Sequence, residues 1–255
     1  MDYIESKIIK NYKIENNIYK IIVEYNGEIK AGQFFMLKTV DDRFLLPRPI
    51  SVNDYYCSGN NKELVFLYRV GKKGSGTDML SNLTEGESLR LIGPAGNGFD
   101  LDKLNGNIAV IGGGIGIAPL KLLIDNLADK GKEAHVFLGF NDFVYEIDEF
   151  QNENTELYIS TVDGSYGEKG FVTDLIDFDK YDTFVACGPT PMMIAIIKKC
   201  REHDKKCYVS LEKRMGCGIG ACLGCSIRTT EGMKRVCKEG PVFDADILDL
   251  SSLEE

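Results

Sequence analysis

Between Gly216 and Cys225 the chain places three cysteines and four glycines within ten residues, and a fourth cysteine follows at Cys237. The pattern is Cys217-x4-Cys222-x2-Cys225-x11-Cys237, and it restricts this chain more than any other feature. A disulfide knot, a structural zinc site and an iron–sulfur cluster can each crowd thiols in this way. The N-terminal run "MDYIESKIIKNYKI" is mixed in charge and has no apolar stretch, so a cytoplasmic location is expected. Thiols there are reduced or metal-bound, which disfavours the knot. Zinc ribbons commonly use two C-x2-C hooks, and only one is present, so zinc stands as the alternative. The first three cysteines match the C-x4-C-x2-C spacing of plant-type [2Fe–2S] sites, the favoured reading. Gly216, Gly218, Gly220 and Gly224 would let the backbone curl and aim N–H groups at cluster sulfurs.

A length of 255 residues allows two domains and a small module. The 44% hydrophobic and 27% charged content is that of an ordinary globular protein, and no apolar run is long enough to span a bilayer. A net charge of −9 without a basic patch makes nucleic acid a poor partner. Residues 1–99 predict a small β barrel: "IYKIIVEY", "QFFMLKTV", "ELVFLYRV" and "ESLRLIG" read as short strands separated by glycine and asparagine turns. Residues 100–206 predict a parallel α/β lobe. There "NIAVIGGGIGIAPLKLLIDNLADKGKEAHVFLGF" reads as strand, helix with Leu120, Leu123 and Leu127, then strand. The segments "ELYISTVD", "FVTDLI", "TFVACGP" and the helix "PMMIAIIKKCREH" continue the alternation. Residues 207–255 hold the cysteine cluster.

A cluster moves one electron at a time and a nicotinamide takes two as hydride, so a flavin is expected to bridge them. "RPISVND" sets Arg48 three residues before Ser51, and "RVGKKGSGTDML" supplies Gly74, Gly76 and Thr77, whose N–H and hydroxyl groups can face a pyrophosphate. Each alone is an ordinary strand or turn; their joint occurrence ahead of a βαβ unit points to a flavin. "GGGIGIAP", from Gly112 to Pro119, is a glycine-rich turn suited to holding a dinucleotide against a helix N-terminus, although it departs from G-x-G-x-x-G/A. "CGPTPMM", from Cys187, lies at another strand end, where α/β sheets bind ligands. Asp142, after "HVFLGF", can accept from a ribose 2′-hydroxyl and repel a 2′-phosphate, which favours NAD over NADP. Cys57, Cys200 and Cys207 lack ligand spacing and read as structural thiols, and neither His135 nor His203 has a catalytic setting.

The order R-P-x-S, G-G-G-x-G-x-A-P and C-G-P resembles the ferredoxin–NADP+ reductase superfamily over residues 1 to about 200. The tail "LEKRMGCGIGACLGCSIRTTEGMKRVCKEGPVFDADIL" extends the resemblance, over essentially the whole chain, to the electron-transfer subunits of class 1B dihydroorotate dehydrogenases. The resemblance implies a six-stranded antiparallel FAD barrel, an NAD-binding α/β lobe and a C-terminal [2Fe–2S] module. It implies that Arg48, with Gly74, Gly76 and Thr77, meets the FAD phosphates, and that Pro49, Ile50 and Ser51 lie at the flavin ring. Gly112, Gly114, Gly116 and Pro119 would line the nicotinamide cofactor, with Cys187, Gly188 and Pro189 near its reactive ring. The cluster ligands would be Cys217, Cys222, Cys225 and Cys237. Its partner would be an FMN-containing catalytic subunit that oxidises dihydroorotate, in a heterotetramer with two copies of each chain. Two alternatives remain: a related reductase subunit for ferredoxin, sulfide or sulfite chemistry, and a non-catalytic binding module with a zinc-stabilised tail.

Overall fold

The computed structural model describes residues 2–41, 44–58 and 61–253. The first sheet is built from β1 (Asp2–Glu15), β2 (Ile18–Glu24), β3 (Phe34–Thr39), β4 (Arg48–Ser51), β5 (Asp54–Ser58), β6 (Asn61–Arg69) and β7 (Ser88–Ala95). Its order is β4-β3-β7-β1-β2-β6-β5, with every pair antiparallel. The expected six-stranded barrel and these seven strands are the same object. β4 pairs with β3 and β5 with β6, and only Val52 and Asn53 separate them, so β4–β5 is one interrupted strand that closes the ring. At this break Asn53 faces both lobes: its N–H stays on Val65 O of β6, its side-chain amide donates to Ala118 O, and its carbonyl accepts from Leu122 N–H. The barrel is therefore pinned to the next lobe where its closing strand breaks. Alternating burial along β7 follows from one face lining the barrel core.

After β6, the glycine turn read from "GKKGSGT" is followed by a short helix, α1 (Gly76–Ser81), capped by the Ser75 hydroxyl, which accepts from Asp78 N–H. The second sheet has the order β11-β10-β9-β8-β12-β13-β16. Its members are β8 (Ile108–Gly113), β9 (Ala134–Phe140), β10 (Thr155–Thr161), β11 (Glu168–Lys169), β12 (Thr183–Cys187), β13 (Lys206–Ser210) and β16 (Val242–Asp244). All pairs are parallel except β13 with β16. α2 (Lys121–Asp129) follows β8 and α3 (Thr190–Glu202) follows β12. β8 and β12 are buried along their full length because both faces of the sheet are covered. The "FVTDLI" segment forms a 3-10 turn at 172–175 instead of extending the alternation. The order β10-β9-β8-β12-β13 reverses direction between β8 and β12, and that switch point opens a crevice at the carboxyl ends of the strands.

The last segment carries a hairpin, β14 (Ser226–Thr229) with β15 (Gly232–Arg235), and lends β16 to the edge of the α/β sheet. It has no core of its own. Cys225, Ile227, Val236 and Cys237 pack into the apolar cluster on the α3 side of the sheet, which also takes in Phe34 and Met36 from the barrel. Asn97, just beyond β7, ties it down further: its side chain donates to the carbonyls of Glu239 and Val242 and accepts from Val242 N–H.

Candidate functional site

Two clefts meet at the junction of barrel and α/β lobe. The larger, about 740 Å³, is bounded by the glycine turn at 113–116, the β12–α3 loop at 188–193 and the segment 170–173. The smaller, about 240 Å³, is bounded by Pro49, Ile50 and Ser51 on the barrel side and by Ile115, Ala118 and Pro119 on the lobe side. Arg69, Ile115, Leu211, Glu212 and Lys213 line both, so these five residues form the shared wall. None of the five was singled out in the sequence. Arg69 ends β6, Ile115 belongs to the glycine turn, and Leu211–Lys213 follow β13; only the fold brings the three segments together.

On the barrel side the two quoted motifs converge. The Arg48 guanidinium packs on Gly76, where an added Cβ would lie 2.8 Å from Cζ, and its other face meets the Phe44 ring at 5.3 Å. No carboxylate among the described residues pairs with it. Gly74 adopts φ +81°, which brings its N–H onto the Asp78 carboxylate at 2.8 Å. Thr77 Oγ1 accepts from Gly71 N–H at 2.9 Å and fixes the loop before α1. A guanidinium that packs in the side-chain space of Gly76 and pairs with no carboxylate among the described residues is a chemical fit for the phosphates of a flavin dinucleotide.

On the lobe side the expected residues sort themselves by depth. Gly114 (φ +54°), Gly116, Gly188 and Pro189 line the large cleft. Gly112 lies below it, where a Cβ would meet Ile117 and Leu138, so its role is packing. Pro119 lines the small cleft instead. The α-helix starts only at Lys121, because a 3-10 stretch with Pro119 inside it occupies 114–120; the cleft therefore faces this stretch and not a helix N-terminus. Cys187 is buried beneath the floor, and burial, then the nearby Glu212, push its thiol up so that it stays protonated. Asp142 is exposed and accepts from Phe143 N–H at 2.9 Å; its neighbour Asn141, not Asp142, borders the cleft. Glu212 opens into both clefts but is hemmed in by protein, and burial raises its pKa against the opposing pull of Arg69.

The four clustered cysteines come as two pairs. Cys222 N–H donates to Cys217 Sγ at 3.4 Å, and Cys237 N–H donates to Cys225 Sγ at 3.4 Å. Cys217 and Cys222 lie at the surface, whereas Cys225 and Cys237 are buried. Burial alone would raise the Cys217 thiol, but N–H groups of Cys222, Ile219 and Ala221 outweigh it and bring the pKa down to about 6. Burial and then the neighbouring Cys225 push Cys237 up to about 12. Among the described residues no three His, Cys, Asp or Glu side chains converge on one point as a mononuclear metal requires. Four thiols in two pairs, each joined by an N–H···S bond, are a donor set that suits two irons, with one pair for each. The loop reaches the barrel directly: a Cβ at Gly218 would lie 2.6 Å from Met36 Sδ.

A closed antiparallel barrel, a parallel lobe with its switch point turned toward it, and two clefts sharing a wall define a flavoreductase of the ferredoxin–NADP+ reductase type. The structure of an NADH-dependent reduced ferredoxin–NADP oxidoreductase superposes with a TM-score of 0.84 at 28% identity, covering 98% of this chain and 91% of that one. A ferredoxin NADP+ reductase from Neisseria gonorrhoeae with bound FAD and NADP shares the fold at TM-score 0.65 and 14% identity, over 78% and 91% of the two chains. Residues 212–249 match the family described as the iron–sulfur cluster binding domain of dihydroorotate dehydrogenase B. The dihydroorotate dehydrogenase B (NAD(+)) electron transfer subunit of Clostridium perfringens is 40% identical over 96% of this chain and 97% of its own length. That of Clostridium acetobutylicum is 40% identical over 94% and 95%. The chain belongs to the family of dihydroorotate dehydrogenase B electron transfer subunits. Among the described residues no helix is long and apolar enough to cross a membrane.

Proposed function

We propose that this chain is the electron-transfer half of an NAD+-linked dihydroorotate dehydrogenase and works with an FMN-containing catalytic subunit in a cytoplasmic heterotetramer, two copies of each. The observation that carries the reading is the short run from Leu211 to Cys217, which leads from the wall shared by both clefts into the first thiol pair. When bound, a [2Fe–2S] cluster and FAD supply one-electron transfer and its conversion to hydride chemistry toward NAD+. Cys217 and Cys222 hold one iron, and Cys225 and Cys237 the other. Arg48, packed on Gly76, pairs with the FAD pyrophosphate next to the loop that Gly74 and Thr77 shape. Pro49, Ile50 and Ser51 border the flavin ring in the small cleft. The large cleft takes NAD, with Gly114, Gly116, Gly188 and Pro189 against it and Asn141 toward its ribose end.

The test is co-expression with the FMN subunit, followed by size-exclusion chromatography and assay with dihydroorotate and NAD+. The assembled complex is expected to reduce NAD+. The chain alone is expected to reduce an artificial dye from NADH, also as the Cys222→Ser variant, whose complex should lose dihydroorotate-driven NAD+ reduction. A cluster-free complex that reduces NAD+ at the normal rate would overturn the relay. The similarity to the NADH-dependent reduced ferredoxin–NADP oxidoreductase supports a second reading, a reductase subunit serving ferredoxin. That reading predicts ferredoxin-linked turnover and no gain in activity from the FMN subunit.

A further inference from the structure

Arg235 closes β15, two residues before Cys237. Its guanidinium bridges parts of the chain that belong to different thiol pairs. Nη1 donates to Gly220 O at 2.7 Å, and Gly220 lies in the loop between Cys217 and Cys222. Nε donates to Glu239 Oε2 at 3.0 Å, Nη2 donates to Glu239 Oε1, and the Arg235 backbone N–H reaches Oε2 at 2.7 Å. This is a two-pronged pairing that lysine cannot copy. Glu239 is anchored in turn, since its carbonyl accepts from Asn97 beside the barrel at 3.0 Å. Gly220 itself adopts φ +80°, and a Cβ there would lie 2.8 Å from Lys238 Cδ, so the loop crosses this part of the module at close range. The positive charge thus sits two residues from Cys237 and directly on the carbonyl of Gly220 in the Cys217–Cys222 loop, which places it between the two thiol pairs.

We infer that Arg235 is a positioning residue for the cluster: it locks the Cys217–Cys222 loop onto the Cys225–Cys237 half through Gly220 and Glu239, and its positive charge raises the cluster's reduction potential. The inference rests on the four cysteines being ligands of a [2Fe–2S] cluster. Loop locking and charge are separable, because lysine keeps the charge and loses the fork. Partners in the shell beside metal ligands hold the ligands in place and tune the metal.

The experiment compares the full-length wild type with Arg235→Lys, Arg235→Gln and Glu239→Gln. The readouts are iron and sulfide content, the rate of cluster loss to a chelator, and an EPR-monitored redox titration. Circular dichroism reports folding. Arg235→Gln is expected to shift the midpoint to more negative potential and to weaken cluster retention roughly 10- to 100-fold. Arg235→Lys is expected to hold the wild-type potential more closely yet lose the cluster faster, and Glu239→Gln to lose it faster with no negative shift. If Arg235→Gln does not fold, the other two variants still decide the locking role, and Arg235→Lys with wild-type retention overturns it. A folded Arg235→Gln chain with unchanged potential overturns the charge role. Wild-type protein that contains no iron or inorganic sulfide would instead sink the ligand reading on which the inference rests.

Discussion

Gly116→Ala tests the geometry on which both clefts depend. Gly116 sits where the glycine turn after β8 crosses the end of β12, and the two strands are held in register by the pairing of Gly112 with Cys187. An added Cβ would lie 2.5 Å from Cys187 O, 2.5 Å from Gly188 Cα and 2.6 Å from Cys187 C. Relaxed carbon contacts lie at about 3.5–4.0 Å, so the methyl is too close by about 1 Å. All three neighbours are backbone, and no side-chain rotation can clear them. Forcing a methyl into such packing costs about 1–3 kcal/mol. In a protein of this size each kcal/mol lowers Tm by about 2–4 °C, which gives an expected drop of about 2–12 °C. The loops that must part are the two that border the large cleft, so binding there should suffer as well. Each 1.4 kcal/mol of misfit felt at the cleft raises the NADH KM about tenfold. The assay is NADH-dependent dye reduction with thermal melting and FAD content. Gly131→Ala is the control: nothing lies within 4 Å of its added Cβ, and only its φ of +67° resists. That residue should lose about 1–2 kcal/mol of stability with no change in KM. A Gly116→Ala chain with wild-type Tm and wild-type KM would refute the argument.

Three further outcomes follow from named contacts. Cys237→Ser is expected to abolish the [2Fe–2S] absorption of the purified chain while Cys57→Ser leaves it intact, and a normal cluster spectrum in Cys237→Ser would remove that ligand. Arg48→Ala is expected to purify depleted of FAD, by at least the roughly tenfold affinity loss that follows from one charge-assisted phosphate contact; stoichiometric FAD at wild-type affinity would contradict the barrel site. Burial holds the Glu212 pKa above its ordinary value, so the folded chain binds that proton more tightly than the unfolded chain, and ionisation lowers stability as pH rises through the interval between the two. Glu212→Gln should therefore melt above the wild type at about pH 8, with the gap shrinking toward about pH 4, and a gap independent of pH would count against the buried carboxylate.

The parts legible in the sequence were those whose chemistry is local. Cysteine spacing, the R-P-x-S strand and the glycine turns can be read within a few residues because backbone conformation and ligand reach are settled at that range. Arg69 and Glu212 could not be read in this way. One ends a barrel strand and the other follows β13, 143 residues later, and nothing around either one signals a site. Pro119 was expected beside the nicotinamide because it completes "GGGIGIAP", yet the 3-10 stretch rotates it to the small cleft. Cys187 was expected near the reacting ring and lies under the floor, since a strand end can point a side chain into the sheet as readily as out of it. Asn53 gives no sequence signal either, yet its two bonds to the lobe tie the barrel's closing strand to the α/β sheet.

The shared wall explains why the cluster segment belongs to this chain and is not a detachable tail. Met215 lines the small cleft, and Cys217 follows two residues later, so the first thiol lies within about 7 Å of chain from that cleft. Independent contacts hold that spacing. Gly218 packs against Met36 of β3, Asn97 clasps the turn after Cys237, and Arg235 ties the two loops together. Each of these joins the module to the barrel or to itself, and β16 adds a fourth attachment through the edge of the α/β sheet. A chain that needed the cluster only for stability could place it anywhere along its surface. Here the polypeptide leads from the wall between two clefts straight into the thiol pairs, and the contacts on either side hold the module against the barrel and the sheet edge.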